Sequence, residues 1–376
     1  MAPPVVEFWS SVELGAFARG LMRELGAQGI RATHRFEVAD ARYRGARTDV
    51  DRLLMRWHSY ATYPALLARR LRQPQVPQVV VVCTNTFYAP ALAVRAAAAR
   101  GIPIVNWVFD LFPDVLVESG KIARGGLQER ALGWVTRWTQ RKAAANVFLG
   151  EHLRAYAEFR YGQAAGGVVI PIGADSLTIA AGAPVARAAG APVRLLYCGN
   201  LGHMHDIDTV IPAVREPGPP GWTLEFRGHG SGLRKLSALA GSEARRARVT
   251  FGDSLPDDEW ARVMRTADVA LVTMKAGAEN LVMPSKTYSA MMAGQAVLAI
   301  CPPASDLAHT ILRDEAGWVV APGDSAGLRS LLERLAAAPD EVLAMRRNAY
   351  QAARRDYDQA ALAPRWAELI RSLRRR

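Results

Sequence analysis

The sequence predicts an α/β protein built from two doubly wound, parallel-sheet domains. Three observations lead there. Short β-branched runs alternate with longer helical patterns along the chain, the runs fall into two consecutive sets, and polar or glycine-bearing turns follow them. With 376 residues, half of them apolar, the chain is long enough to give each domain its own core.

In the first set the predicted strands are Pro4–Phe8, Val76–Cys83 (VPQVVVVC), Pro103–Phe109 (PIVNWVF), Ala145–Leu149 and Gly167–Ile172. Helical patterns lie between them, as at Leu14–Leu25 and Ala89–Arg100. The stretch TIAAGAPVARAAGAP, 178–192, reads as a linker or surface excursion. Beyond it the predicted strands are Arg194–Cys198, Thr223–Arg227, Val249–Phe251, Val269–Thr273, Ala296–Ile300 and Gly317–Val320. The expected organisation is a first domain over 1–177, a linker over 178–192, a second domain over 193–350, and a C-terminal helix over 351–376 that packs back on the first domain. No short repeat period supports a solenoid.

Charge is uneven: of a formal net +12, residues 1–150 hold 20 basic against 11 acidic side chains. Such a field attracts nucleic acid, anionic lipid and phosphorylated substrates alike, and an Arg-rich composition can also reflect genome base content. Cys83, Cys198 and Cys301 form no CxxC pair, which argues against a zinc site or disulfide framework and fits a reducing cytoplasm. The stretch MAPPVVEFWSSVELG lacks a basic segment followed by a long apolar one, and no window is apolar for the length of a bilayer. A soluble or peripheral protein is expected.

Ligands of open α/β sheets bind beyond the carboxyl ends of the strands, so the loops there are the candidates for chemistry. After LLYCGN the chain turns through Gly199 and Gly202, and His203 and His205 stand beside a helix start near Asp206 or Asp208. This also fits an ordinary strand-to-helix turn. GHGSGLRKL carries Gly228, Gly230 and Gly232, but the spacing is not that of a dinucleotide fingerprint, so nicotinamide binding is not supported. The third loop, KAGAENLVM, leads into Pro284 and Ser285 at a helix start, where unpaired N–H groups and Lys286 suit a phosphate or diphosphate. Gly294 then ends the helix.

In the first half, DLFPDVLVESG follows PIVNWVF. Asp110 could orient or deprotonate a substrate hydroxyl there, and it could equally be a helix or turn cap, with Asp114 another. Thr84, Asn85 and Thr86 supply a second polar cluster. Asp-x-Asp occurs at Asp49/Asp51, Asp206/Asp208 and Asp356/Asp358, and reads as helix surface or caps; Asp257, Asp258 and Glu259 read as first-turn acids. No G-x-S-x-G, Walker loop or H-E-x-x-H is present.

GNLGHMHDIDTVIPA, VTFGDSLPDDEWARVMRTADVALVTM and MPSKTYSAMMAGQAVLAI resemble, in order, the glycine loop, base-binding turn and nucleotide-binding helix of the family-4 retaining glycosyltransferases of the GT-B fold. The P-S-K form is similar to that of transferases of N-acetylated amino sugars in surface polysaccharide synthesis. WVFDLFPDVLVESG resembles the acceptor-side segment of that subgroup, and VFLGEHLRAYAEFRYG with VVIPIGAD the passage out of the first domain.

The resemblance implies two Rossmann-like domains facing across a cleft, a nucleotide sugar held mostly by the second, an acceptor held by the first, and no metal or other cofactor. It implies donor contacts from Gly199, Asn200, Gly202, Gly230, Arg234, Phe251, Ser254, Glu279, Asn280, Leu281, Val282, Met283, Pro284, Ser285 and Ser289. Asp110, Lys286 and His205 take the catalytic roles, and Ser11, Thr84, Asn85 and Asp114 line the acceptor side. Departures are the missing paired glutamates, whose places fall to Leu281 and Ser289, the single Gly15 in WSSVELGAF, and the absence of the family's first-domain His near Phe109–Asp110.

The function implied is retaining transfer of an N-acetylated hexosamine-type sugar from a UDP-sugar to an acceptor hydroxyl. Lys286, His205, Arg234 and the helix start at Pro284 stabilise the diphosphate, and Asp110 positions acceptor or sugar. The acceptor is a glycan, a lipid-linked molecule or a small molecule, and nucleic acid is not a partner. Arg42, Arg44, Arg47, Arg52 and Arg56, followed by Arg69, Arg70 and Arg72, fit an interfacial helix on an anionic membrane face, or merely a solvated one. The rivals are a sugar-nucleotide epimerase of the same architecture and a non-catalytic partner in a glycan assembly complex.

Overall fold

The computed structural model describes residues 3–40, 42, 49–74, 77–188, 190–215, 221–239 and 249–374. Arg44, Arg47, Val76, Ala189 and the last two residues of the basic tail lie outside the described residues, as do the side chains of Asp49 and Arg52. The chain divides into two compact units: Met1–Ile172 with Leu281–Met283 and Gln359–Arg376, and Gly173–Asn280 with Pro284–Asp358.

The first unit holds a parallel six-stranded sheet in the order β2-β1-β3-β4-β5-β6. The strands are β1 (Val5–Val12), β2 (Arg31–Val38), β3 (Val79–Cys83), β4 (Ile104–Val108), β5 (Ala145–Phe148) and β6 (Gly167–Val169). Every residue of β3, β4 and β5 is buried, as a sheet covered on both faces requires. β2 has no counterpart among the predicted strands. RATHRFEV is an edge strand that buries only Val38 fully, so it lacks the apolar run that marks its neighbours. Helix Gln359–Arg374 belongs to this unit through Trp366, whose ring meets Trp107 at 4.9 Å and Phe8 at 5.4 Å.

The second unit holds another parallel six-stranded sheet, in the order β12-β11-β10-β7-β8-β9. Its strands are β7 (Val193–Asn200), β8 (Trp222–His229), β9 (Val249–Gly252), β10 (Val269–Thr273), β11 (Ala296–Ile300) and β12 (Gly317–Val320). Sequence order reverses at β1/β3 in the first sheet and at β7/β10 in the second. These reversals open crevices at the carboxyl ends of doubly wound sheets.

The stretch 178–192 is not a connector between the units, because the second unit begins at Gly173 and contains it. Buried Asp268 at the foot of β10 fixes it there: the carboxylate meets Arg346 Nη1 at 2.9 Å and Arg187 Nε at 3.4 Å, and accepts the Arg194 N–H at 2.9 Å. Arg346 in turn donates to the carbonyls of Gly294 and Val185. Replacing Arg346 by Ala strips Asp268 of its best partner and should cost about 2–3 kcal/mol in urea unfolding, with faster proteolysis near Val185, whereas the same change at the neighbouring exposed Arg347 should cost less than about 0.5 kcal/mol.

Candidate functional site

At the β7/β10 reversal, β7 and β8 pair in register from Val193↔Trp222 to Asn200↔His229 and carry their pairing into the loops. The Leu201 N–H donates to the His229 carbonyl at 2.8 Å, and the Gly232 N–H to the Leu201 carbonyl at 2.9 Å. A Cβ at Gly228 would collide with the Gly199 carbonyl, and one at Gly230 with the Leu201 carbonyl and the Asn200 side chain. Both have positive φ, 147° and 119°. The glycines of GHGSG are therefore required by the approach of two backbones. Tyr197, Phe226 and Phe251 face one another in register across β7, β8 and β9, and the last two rings stack at 5.3 Å and 12°.

Lys286 closes this row. Its Nζ lies 4.0 Å from the centroid of the Tyr197 ring, donates to the Tyr197 hydroxyl, and reaches the Asn200 carbonyl at 3.4 Å. The Tyr197 hydroxyl itself donates to that carbonyl at 2.8 Å. Burial pulls the Lys286 ammonium down to about 7, with only a small opposing pull from nearby Cys198. Burial also pushes the Tyr197 phenol far above its ordinary range, so it stays neutral.

His205 stands edge-on to Tyr197 at 6.0 Å and donates Nδ1–H to the Thr273 carbonyl at 2.7 Å. That bond fixes the tautomer and leaves the lone pair on Nε2. Burial first, and then the charge of Lys286, lowers the imidazole to about 3, outweighing the Thr273 bond. His205 is thus a neutral acceptor at pH 7, which corrects the expectation that it adds charge or donors for a diphosphate. The Lys275 N–H, donating to the Met204 carbonyl at 3.0 Å, ties the loop after β10 to the loop after β7.

Pro284 and Ser285 precede helix Lys286–Met292, and Ser285 and Ser289 share its more exposed face one turn apart. Gly202 lies against the Asn200 side chain, Arg234 is exposed on helix Ser231–Leu239, and Ser254 pairs with His229 Nδ1 at 2.9 Å. Glu279 accepts the Gly277 N–H at 2.7 Å, so its carboxylate caps its own loop, and Asn280 beside it is half-buried. Leu281 and Met283, expected among the donor contacts, are buried, so backbone atoms are what they can offer a ligand. Both belong to the first unit, as does Val282, which forms an antiparallel bridge with Asp110.

At the β1/β3 reversal, Ser11, Thr84 and Asn85 come together with Asp110. The Ser11 N–H donates to Asn85 Oδ1 at 3.4 Å; Thr84 Oγ1 accepts the Phe109 N–H at 3.0 Å and the Asp110 N–H at 3.3 Å, and donates to the Asp110 carbonyl at 3.0 Å. Thr84 is thus a clamp on the Asp110 backbone rather than a free acceptor contact. The Asp110 carboxyl has no hydrogen-bonding or charged partner among the described residues, and burial pushes it up to about 6. Asp114 is different: it is buried, bonded to the hydroxyls of Tyr156 and Tyr161 and paired with Arg160 at 3.5 Å. Its expected acceptor role is corrected to a structural one.

Two of the three Asp-x-Asp copies are likewise absorbed, while the side chain of Asp49 in the other lies outside the described residues. Asp206 caps Thr209, Asp208 pairs with Lys235, Asp356 with Arg355, and Asp358 with Arg354. Sequence reasoning missed Tyr197, Thr273 and His229; a tyrosine at the polar end of LLYCGN was the one available signal.

Lys286→Met should stabilise the free protein by about 1–2 kcal/mol at pH 6, where the wild type holds a charged, poorly hydrated ammonium. The native Lys286 pKa is below its unfolded one, so the unfolded state binds more protons between about 7 and 10 and the wild type regains stability as pH rises through that window. Thermal unfolding of both proteins at pH 6 and pH 10 checks this: the gap should narrow at pH 10, and pyrophosphate should stabilise only the wild type.

Residues 14–173 match the glycosyl transferase 4-like domain, and residues 185–355 match the glycosyl transferases group 1 model. A Pseudomonas aeruginosa protein carried as "Probable glycosyltransferase WbjE" is 24% identical over 246 residues, a match spanning 63% of this chain and 60% of that protein. Among solved structures, HepE of Anabaena in complex with UDP superposes with a TM-score of 0.72 at 15% identity, covering 98% of this chain and 100% of that one. Sucrose-phosphate synthase of Thermosynechococcus elongatus gives 0.73 at 17% identity, covering 98% and 99%. The fold is that of these two-domain, Rossmann-like GT-B proteins, and the two matched segments place the chain in the group 1, family 4-like glycosyltransferases.

Proposed function

We propose that the protein transfers a sugar of the N-acetylated hexosamine type from a UDP-sugar to an acceptor hydroxyl, with retained anomeric configuration. The observation that carries this reading is Lys286, held over Tyr197 at the β7/β10 reversal and poised near neutral pH between its charged and neutral forms. The UDP and UDP-glucose complexes of HepE support a uridine nucleotide as the donor carrier. The amino-sugar assignment rests on the P-S-K form of MPSKTYSAMMAGQAVLAI.

An arriving diphosphate raises the Lys286 pKa, so the side chain takes up a proton and becomes its counter-charge. His205, neutral when the site is empty, accepts a hydroxyl hydrogen of the donor through Nε2. Phe251 and Ser254 lie near the base, and Arg234 adds an exposed cation. The bond between the anomeric carbon and the diphosphate oxygen breaks as the acceptor oxygen bonds to that carbon on the same face. The acceptor proton leaves with the departing diphosphate. Asp110 orients the acceptor, and Thr84 holds its backbone in place. No step uses a metal ion.

Asp110→Asn should lower kcat by about 10²-fold while leaving UDP affinity within about twofold. Wild-type kcat should rise with pH as Asp110 ionises around 6, and the variant should lack that limb. A coupled UDP-release assay over a panel of UDP-HexNAc donors, with and without acceptor extract, reads both. Interconversion of the sugar nucleotide without acceptor would favour an epimerase instead. Absence of UDP binding by calorimetry, with no turnover of any donor, would overturn the transferase reading.

A further inference from the structure

Helix Asp49–Trp57 carries an apolar stripe that the described residues leave uncovered. Val50, Leu53, Leu54 and Trp57 are 67, 67, 45 and 66% exposed. Their spacing of three, four and seven residues from Val50 puts them on one face of the helix. Tyr60 and Leu66, 42 and 41% exposed, continue the stripe. Isolated surface leucines are ordinary, but six large apolar residues within a 17-residue span form a patch that asks for a partner.

The segment is anchored from beneath. Met55, Tyr63, Leu67 and Leu71 are buried, and the last three join a core cluster with Trp9, Val80 and Val82. Exposure of the other face is therefore not a consequence of the helix standing free. Residues 49–72 hold five arginines against two aspartates, and Arg56, Arg69 and Arg72 are exposed. Apolar residues beside arginines are the pattern of a helix lying in the plane of a lipid interface, its apolar face in the acyl boundary and its arginines at anionic headgroups. At nine residues the helix is too short to span a bilayer, and no helix among the described residues is long and apolar enough to do so. Contact between two copies through this face would bring the arginines of one against those of the other.

We propose that the segment Asp49–Leu71 docks the first unit on an anionic lipid surface through the stripe Val50, Leu53, Leu54 and Trp57. This is independent of the donor-site reading and stands or falls without UDP. The test is flotation of the full chain with vesicles of about 30% phosphatidylglycerol in phosphatidylcholine, against phosphatidylcholine alone, at about 0.1 M and about 1 M salt. The wild type should float with the anionic vesicles at low salt and lose most of that binding at high salt or without the anionic lipid. The double change L53Q/W57Q should lower partitioning by roughly tenfold or more, and R69Q/R72Q should weaken it and flatten its salt dependence. All four side chains are exposed, so both variants should keep the wild-type unfolding transition. Failure of the wild type to float, or flotation untouched by L53Q/W57Q, would overturn the proposal. A concentration-dependent dimer that L53Q/W57Q abolishes, in a protein that does not float, would assign the stripe to a second copy instead.

Discussion

A lysine ammonium half-withdrawn from water onto the ring and hydroxyl of a tyrosine is the constraint around which the β7/β10 crevice is arranged. Holding a cation there is unfavourable in the free protein, which is why Lys286 moves toward neutrality at ordinary pH. Tyr197 makes the position tenable by offering its ring face and its oxygen together, while its own hydroxyl donates a hydrogen bond to the Asn200 carbonyl. A second cation close by would raise the cost further. The neutral state of His205, imposed by burial and by the charge of Lys286 against the opposing pull of the Thr273 carbonyl, fits that arrangement.

Backbone geometry serves the same end. Gly228 and Gly230 let β8 and its loop press against the carbonyls of Gly199 and Leu201, which fixes the Asn200 carbonyl that Lys286 and Tyr197 share. The in-register row Tyr197, Phe226 and Phe251 sets the height of the Tyr197 ring above its sheet. The first unit solves a different problem at its own reversal. There Thr84 uses one hydroxyl to bind the Phe109 and Asp110 backbone, while the Asp110 carboxyl, without a partner among the described residues, is raised to about 6 by burial. One reversal holds a cation near neutrality, and the other holds a carboxyl ready to ionise.

Much of the fold was legible because parallel strands buried on both faces leave nearly continuous apolar runs, as in VVVVC, ALVTM and AVLAI. β2 was illegible for the converse reason: an exposed edge strand with Arg31, His34, Arg35 and Glu37 shows no such run. Lys286 and Asp110 could be picked out from their places after strands, and Asp114 looked equivalent to Asp110. Only the tertiary contacts of Tyr156, Arg160 and Tyr161, more than forty residues downstream, separate the structural carboxylate from the unpartnered one. The glycine triplet of GHGSG was a weak signal, with only Gly230 expected among the donor contacts, and its need for close backbone approach emerges from strand pairing across about thirty residues. Likewise 178–192 reads as a linker in sequence because Asp268 and Arg346, which bind it, are remote along the chain.

The state of Lys286 can be read directly by titrating UDP into the protein at pH 8 in buffers of different ionisation enthalpy. A lysine that is mostly neutral in the free protein and charged beside the diphosphate requires uptake of roughly one proton per UDP, falling toward zero near pH 6 and absent in Lys286→Met. Binding with no proton uptake at pH 8, or unchanged uptake in Lys286→Met, would contradict the role assigned to Lys286.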